Sequence, residues 1–128
     1  MEVTLRNILD AERLLSAISN ERLRSKATYQ IARILREIRN EIDLFNEKRM
    51  ELIDKYGEHD ETGNLIIEEG NYKIKPENGE AMNNEYVELL DTKLTLNANP
   101  IQLTLLDDNE LKLFTPNDMI KLLPFIEE

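Results

Sequence analysis

A chain of 128 residues is long enough to close one hydrophobic core and short for two, so a single domain over 1–128 is expected. Apolar residues at 41% and charged ones at 33% exclude both a disordered tail and a membrane span. With 16 basic against 26 acidic side chains, no Cys and no Trp, the composition also excludes a disulfide scaffold, a thiolate zinc site and a surface that coats nucleic acid directly.

Thr4 is placed to cap a first helix running to about Ile18, with Leu5, Ile8, Leu9, Leu15 and Ile18 on one side. The same stretch lacks the basic-then-apolar order of a secretory signal, because Asp10 and Glu12 interrupt it. Together with the absence of Cys, this leads us to expect a cytoplasmic protein. Ser19-Asn20 is a break. From Ser25 to Tyr56 the apolar residues Ala27, Ile31, Ile34, Leu35, Ile38, Ile42, Phe45, Leu52, Ile53 and Tyr56 recur every three or four positions without Pro or Gly, the period of an amphipathic helix. Gly57 is expected to end it in a left-handed conformation. Such a helix is roughly 45–50 Å long, more than one small domain spans, which implies a projecting part or cover from a second subunit, hence a homo-oligomer.

Beyond it, Leu65-Ile66-Ile67 and Tyr72-Lys73-Ile74 flank Glu69-Gly70 as a β-hairpin, and Pro76 to Gly79 is a break. A short helix follows from about Glu80 to Leu90, buried through Met82, Tyr86, Leu89 and Leu90. Leu94 to Leu96, Ile101 to Leu105 and Leu111 to Phe114 read as extended. Thr115 as cap, Pro116 at the first helical position and Asp118 three residues after the cap mark a last helix that ends before Pro124. The fold class is therefore α+β and mainly helical: one long amphipathic helix, two or three shorter ones and a small antiparallel hairpin or sheet. Its helical part is 1–57. An acidic part with hairpin, short helix and carboxyl-terminal helix follows over 58–128.

Charge is uneven along this order. Residues 1–57 hold 11 basic against 10 acidic side chains, and residues 58–128 hold 5 against 16. Between Arg22 and Arg39 stand Arg22, Arg24, Lys26, Arg33, Arg36 and Arg39 with a single acid, Glu37. On an ideal helix Arg22, Lys26, Tyr29, Arg33 and Arg36 fall within about 80° of one another, opposite the apolar stripe. Arg22 belongs only if the helix starts before Ser25. If Ser25 is the cap, the first-turn N–H groups converge with the Lys26 ammonium and the Thr28 hydroxyl, an arrangement suited to a phosphate or carboxylate. Tyr29 offers a stacking face and the arginines offer forks for phosphate oxygens. The candidate ligand-binding residues are thus Arg22, Lys26, Thr28, Tyr29, Arg33 and Arg36. Against this stands the ordinary reading of a solvated helix face, or of cations neutralised by the acidic carboxyl-terminal elements.

No catalytic residue, cofactor or resident metal is read from the sequence. Glu58, Asp60, Thr62, Gly63 and Glu69 match a helix-flanked calcium loop only in part: its first ligand should be Asp, and a hairpin follows where a helix should. His59, the only histidine, has acidic neighbours and no nucleophile. There is no glycine-rich phosphate loop, no Gly-x-Ser-x-Gly and no His-Glu-x-x-His. Glu68-Glu69, Asp107-Asp108 and Glu127-Glu128 read as solvated loops and ends.

The order Lys26-Ala27-Thr28-Tyr29, Ile31-Ala32-Arg33, a charged helix ending Lys55-Tyr56-Gly57, a hairpin with Gly63-Asn64 and Asn71-Tyr72-Lys73-Ile74, and the ending Leu123-Pro124-Phe125-Ile126-Glu127-Glu128 resembles small proteins encoded by bacteriophages and prophages. It departs from them in having Arg24-Ser25 where a proline turn is expected. The resemblance carries no settled activity. It implies a non-structural phage protein in the bacterial host cytoplasm that blocks or sequesters a component of host immunity. Two functions follow as expectations. One is a non-enzymatic sponge for an anionic nucleotide-type signal on the basic ladder. The other is an acidic inhibitor docking on a basic host defence or nucleic-acid-binding protein.

Overall fold

The computed structural model describes residues 1–23 and 25–127, and for Ser25, Asp108 and Asn109 the backbone alone. Arg24, the Ser25 side chain that would cap the long helix, the Asp108 side chain and Glu128 therefore lie outside the described residues. The chain packs as two units, Met1–Ile42 with Thr92–Glu128 and Asp43–Asp91.

In the first unit, β1 (Glu2–Thr4) pairs antiparallel with β4 (Lys93–Thr95), Val3 opposite Leu94, and the amino-terminal ammonium donates to the Leu96 carbonyl at 2.8 Å. β1 hands directly to α1 (Leu5–Ile18). The Thr4 hydroxyl accepts from the Asn7 N–H at 3.1 Å, and the Asn7 side-chain oxygen accepts from the Thr4 N–H at 2.9 Å, satisfying two end donors reciprocally. Leu5, Ile8, Leu15 and Ile18 are on its buried side as their spacing predicts; Ala11 is buried with them, and Leu9 is only half-buried. In the same unit Ala27, Ile31, Ile34, Leu35 and Ile38 of α2 (Ser25–Tyr56) are buried, as are Leu122 and Phe125. Full burial of each large apolar side chain contributes about 1.5–3 kcal/mol.

The carboxyl-terminal segment wraps this core. β5 (Ile101–Gln102) and β6 (Ile126–Glu127) pair in parallel, Ile101 beside Ile126, and α5 (Pro116–Leu122) starts on the Thr115 and Asp118 box read from sequence. Two expectations fail here. Leu111 to Phe114 is not extended: α4 (Asp108–Leu111) occupies its start, because the Asp107 carboxylate accepts from the Glu110 N–H at 2.8 Å while the Glu110 carboxylate accepts from the Asp107 N–H at 3.1 Å. Ile101 to Leu105 is extended only over its first two residues and then turns in a 3-10 bend at Leu103–Leu105.

The second unit takes α2 from Asp43 onward. Phe45 and Ile53 are buried, and the Phe45 ring lies 6.0 Å from that of Tyr86 on α3 (Gly79–Leu90). The hairpin forms from β2 (Ile67–Glu68) and β3 (Asn71–Tyr72) around Glu69-Gly70, both with positive φ (51° and 81°), which is the two-residue turn whose twist matches paired strands. Glycine is needed at the second of these positions, and Glu69 accepts the conformation without that freedom.

Gly57 corrects a third expectation. Its φ is not positive. It bridges to Ile74 as extended chain, and a Cβ there would lie 2.6 Å from the Ile53 carbonyl and 2.7 Å from Leu65 Cδ2. Space, not handedness, demands glycine. Along the apolar stripe of the long helix Ala27, Ile31, Ile34, Leu35, Ile38, Phe45 and Ile53 are buried, and Ile42, Leu52 and Tyr56 are half-buried.

Candidate functional site

The basic segment begins where α1 ends. The Ser19 N–H bonds back to the Leu15 carbonyl and the Glu21 N–H to that of Ile18, so the chain turns tightly before entering α2 at Ser25. Arg22 therefore lies in the connection and not on the helical ladder. Between this connection and α2 is a groove of about 400 Å³. Ile18, Leu23, Ile31 and Leu35 give it an apolar lining, and Thr28, Arg36, Arg39 and Asn40 of α2 and the acidic Glu21 of the connection line it too. Positions 28, 32, 35, 36 and 39 share one helix flank by their three- and four-residue spacing. The Thr28 hydroxyl donates to the Leu23 carbonyl at 3.4 Å, holding connection to helix while its oxygen remains able to accept.

On the other flank, Lys26, Tyr29 and Gln30 share a shallower depression of about 360 Å³ with Gln102 and Leu105. The Gln30 side-chain oxygen accepts from the Gln102 N–H at 3.1 Å. Tyr29 is 66% exposed, and the Arg33 guanidinium lies 6.0 Å from its ring centre, at the outer limit of a cation–π contact. The six residues picked from sequence are thus not one cluster. Thr28 and Arg36 face the groove, Lys26 and Tyr29 the depression with Arg33 beside it, and Arg22 is off the helix.

Arg39 and Asn40 were missed as site residues. The Arg36-x-x-Arg39 spacing, which places two guanidinium groups one turn apart, was the signal available.

Among the described residues no carboxylate forms an ion pair with Arg22, Lys26, Arg33, Arg36 or Arg39, whereas Lys48, Lys55 and Lys73 of the second unit are each paired within 3.3 Å. Glu37 sits four residues after Arg33, a favourable spacing for a pair, but its Oε2 instead accepts from the Asn97 N–H at 2.8 Å.

The remaining candidates have local partners. Asp60 Oδ1 accepts from the Thr62 hydroxyl at 2.6 Å and from the Thr62 and Asn64 N–H groups, and these bonds, the hydroxyl first, hold its carboxyl below the usual range. Glu58 pairs with Lys73 at 3.2 Å. Among the described residues no three acidic or imidazole groups are gathered for a metal ion. His59 Nε2 lies 2.9 Å from Asp54. Of the acidic pairs, Asp107 is engaged as a helix cap. Among the described residues no helix is long and apolar enough to cross a membrane. Comparison with protein-family models, with curated proteins and with solved structures finds no match.

Proposed function

We propose that the protein captures an anionic nucleotide-type molecule without turning it over, using the groove beside Thr28, Arg36 and Arg39. The observation that carries this reading is a set of arginines, Arg22, Arg33, Arg36 and Arg39, without carboxylate partners among the described residues of a chain of formal charge −10, two of them beside an apolar-floored groove of about 400 Å³. That volume is within the range of small-molecule sites. Two guanidinium groups one helical turn apart suit phosphate oxygens, and an apolar floor suits the flat face of a base. Tyr29 and Lys26, on the adjoining flank, are available to a second subunit's ligand or to the far end of an extended one. The resemblance to phage-encoded proteins supplies the context, sequestration of a host immune signal in the bacterial cytoplasm.

Isothermal titration calorimetry against cyclic nucleotides and cyclic ADP-ribose isomers tests it. The expected result is binding by at least one, recovery of that ligand unchanged after denaturing the protein, and loss of the heat in Arg36→Glu with Arg39→Glu. No heat from any of them, or heat that survives the double reversal, refutes it.

A second reading rests on a different observation: Asp43–Asp91 carries 14 acidic against 5 basic side chains. We propose this unit as the surface through which an acidic inhibitor would dock on a basic host protein. A stoichiometric partner recovered from host lysate at low salt and lost at high salt supports it.

A further inference from the structure

In the second unit, Phe45, Arg49 and Ile53 succeed one another at four-residue steps, so a cation stands in the line of the helix that otherwise buries its side chains. Arg49 is exposed and lines a cavity of about 410 Å³ whose other walls include Ile53, Ile74, Met82, Asn83 and Tyr86. Its neighbours three and four residues away are Phe45, Asn46, Leu52 and Ile53, none of them acidic. Among the described residues Arg49 has no carboxylate partner, although its unit holds nearly three acids for every base and pairs Lys48, Lys55 and Lys73. A guanidinium beside apolar walls and without a carboxylate partner among the described residues can anchor an anion whose remaining surface is apolar.

We propose that this cavity binds a small carboxylate with an aliphatic or aromatic body. The carboxylate forks onto Arg49, with the Asn83 amide as a further donor, and the body rests on Ile53, Ile74 and Met82. The site is independent of the groove beside Arg36 and needs no residue from it.

The test uses the whole chain labelled with 15N and three probes: octanoate, octanol with the same body and no charge, and acetate with the charge and no body. Octanoate is expected to shift the amide signals of Ile74 and Asn83 saturably, at least tenfold more tightly than either control. Arg49→Gln is expected to weaken it at least tenfold. Gly79 also lines the cavity, has ordinary helical angles (φ −57°, ψ −44°), and a Cβ there meets no atom within 4 Å, so Gly79→Phe is expected to fold and to block the site. Arg36→Glu with Arg39→Glu is expected to leave octanoate binding within twofold, which separates this site from the groove. Octanol binding as tightly as octanoate, no shifts with octanoate at millimolar concentration, or an Arg49→Gln protein that binds within twofold of the parent overturns the proposal.

Discussion

Replacing Gly57 separates two reasons for which a helix can be followed by glycine. If the position required a left-handed backbone, asparagine would be the best substitute and alanine a worse one. The structure says otherwise. A Cβ at 57 would lie 2.6 Å from the Ile53 carbonyl oxygen and 2.7 Å from Leu65 Cδ2. Leu65 can turn aside, but the carbonyl cannot, because the Gly57 N–H is bonded to it at 2.7 Å and the next N–H, that of Glu58, is bonded to Lys73 at 2.8 Å. Overpacking of this kind costs about 1–3 kcal/mol. Gly57→Ala should fall in that range. Gly57→Asn should be worse, because its amide adds bulk and polar groups where the chain is buried. Gly63 is the opposite case: φ is +87° and the space is open, so Gly63→Ala carries only the left-handed strain of roughly 1–2 kcal/mol and Gly63→Asn less. Urea unfolding followed by circular dichroism and tyrosine fluorescence gives all four values. Asparagine milder than alanine at 57, or either substitution there within 0.5 kcal/mol of the parent, refutes the steric argument.

Thr115→Ala should lose about 1 kcal/mol, since the hydroxyl accepts from Asp118 and the Asp118 carboxylate returns the bond to Thr115, and urea unfolding measures it. Asp107→Ala should cost a similar ~1 kcal/mol by removing the α4 cap, which makes it unsuitable as a pure charge-neutralising variant of an acidic surface. The Glu85 carboxyl is held below its ordinary value chiefly by the Lys55 ammonium, 3.0 Å from its Oε1, and Lys55 is raised in turn by the same contact. The stabilisation therefore holds in full above the pKa of an unfolded glutamate and is lost as pH falls through the lower folded value; on the basic side it is lost as pH rises through the raised Lys55 value. Carbon-detected NMR titration of Glu85 should show its midpoint moving up in Lys55→Met, and an unmoved midpoint would remove Lys55 as the cause.

The long helix was legible because thirty-two residues repeat one period without interruption, and both capping boxes were legible because their partners are three residues apart. What depended on distant partners was not. The strand at Glu2–Thr4 is too short to show a period and exists because Lys93–Thr95 lies beside it. Leu111 to Phe114 alternates like a strand, but the Asp107 and Glu110 bonds start a helix just before it. Lys26, Tyr29, Arg33 and Arg36 do lie on α2, whereas Arg22 does not, and the groove beside Thr28, Arg36 and Arg39 depends on the connection at residues 18–23, which the helical period does not show.

Part of the first unit's carboxylate is committed to the backbone and not to those cations. The first unit is close to balanced, 11 basic against 12 acidic side chains, so acids are not scarce in it. Four of its carboxylates accept from backbone N–H groups: Glu37 from Asn97, Asp107 from Glu110, Glu110 from Asp107 and Asp118 from Thr115. A carboxylate fixed by a main-chain donor at a cap or a chain crossing is held where the backbone needs it and is not free to follow a long arginine side chain. In the second unit the lysines take their acids as ion pairs instead. The consequence bears on affinity. On the proposed reading, an anion arriving at Arg36 and Arg39 would displace water and mobile counterions, with no ion pair among the described residues to break first.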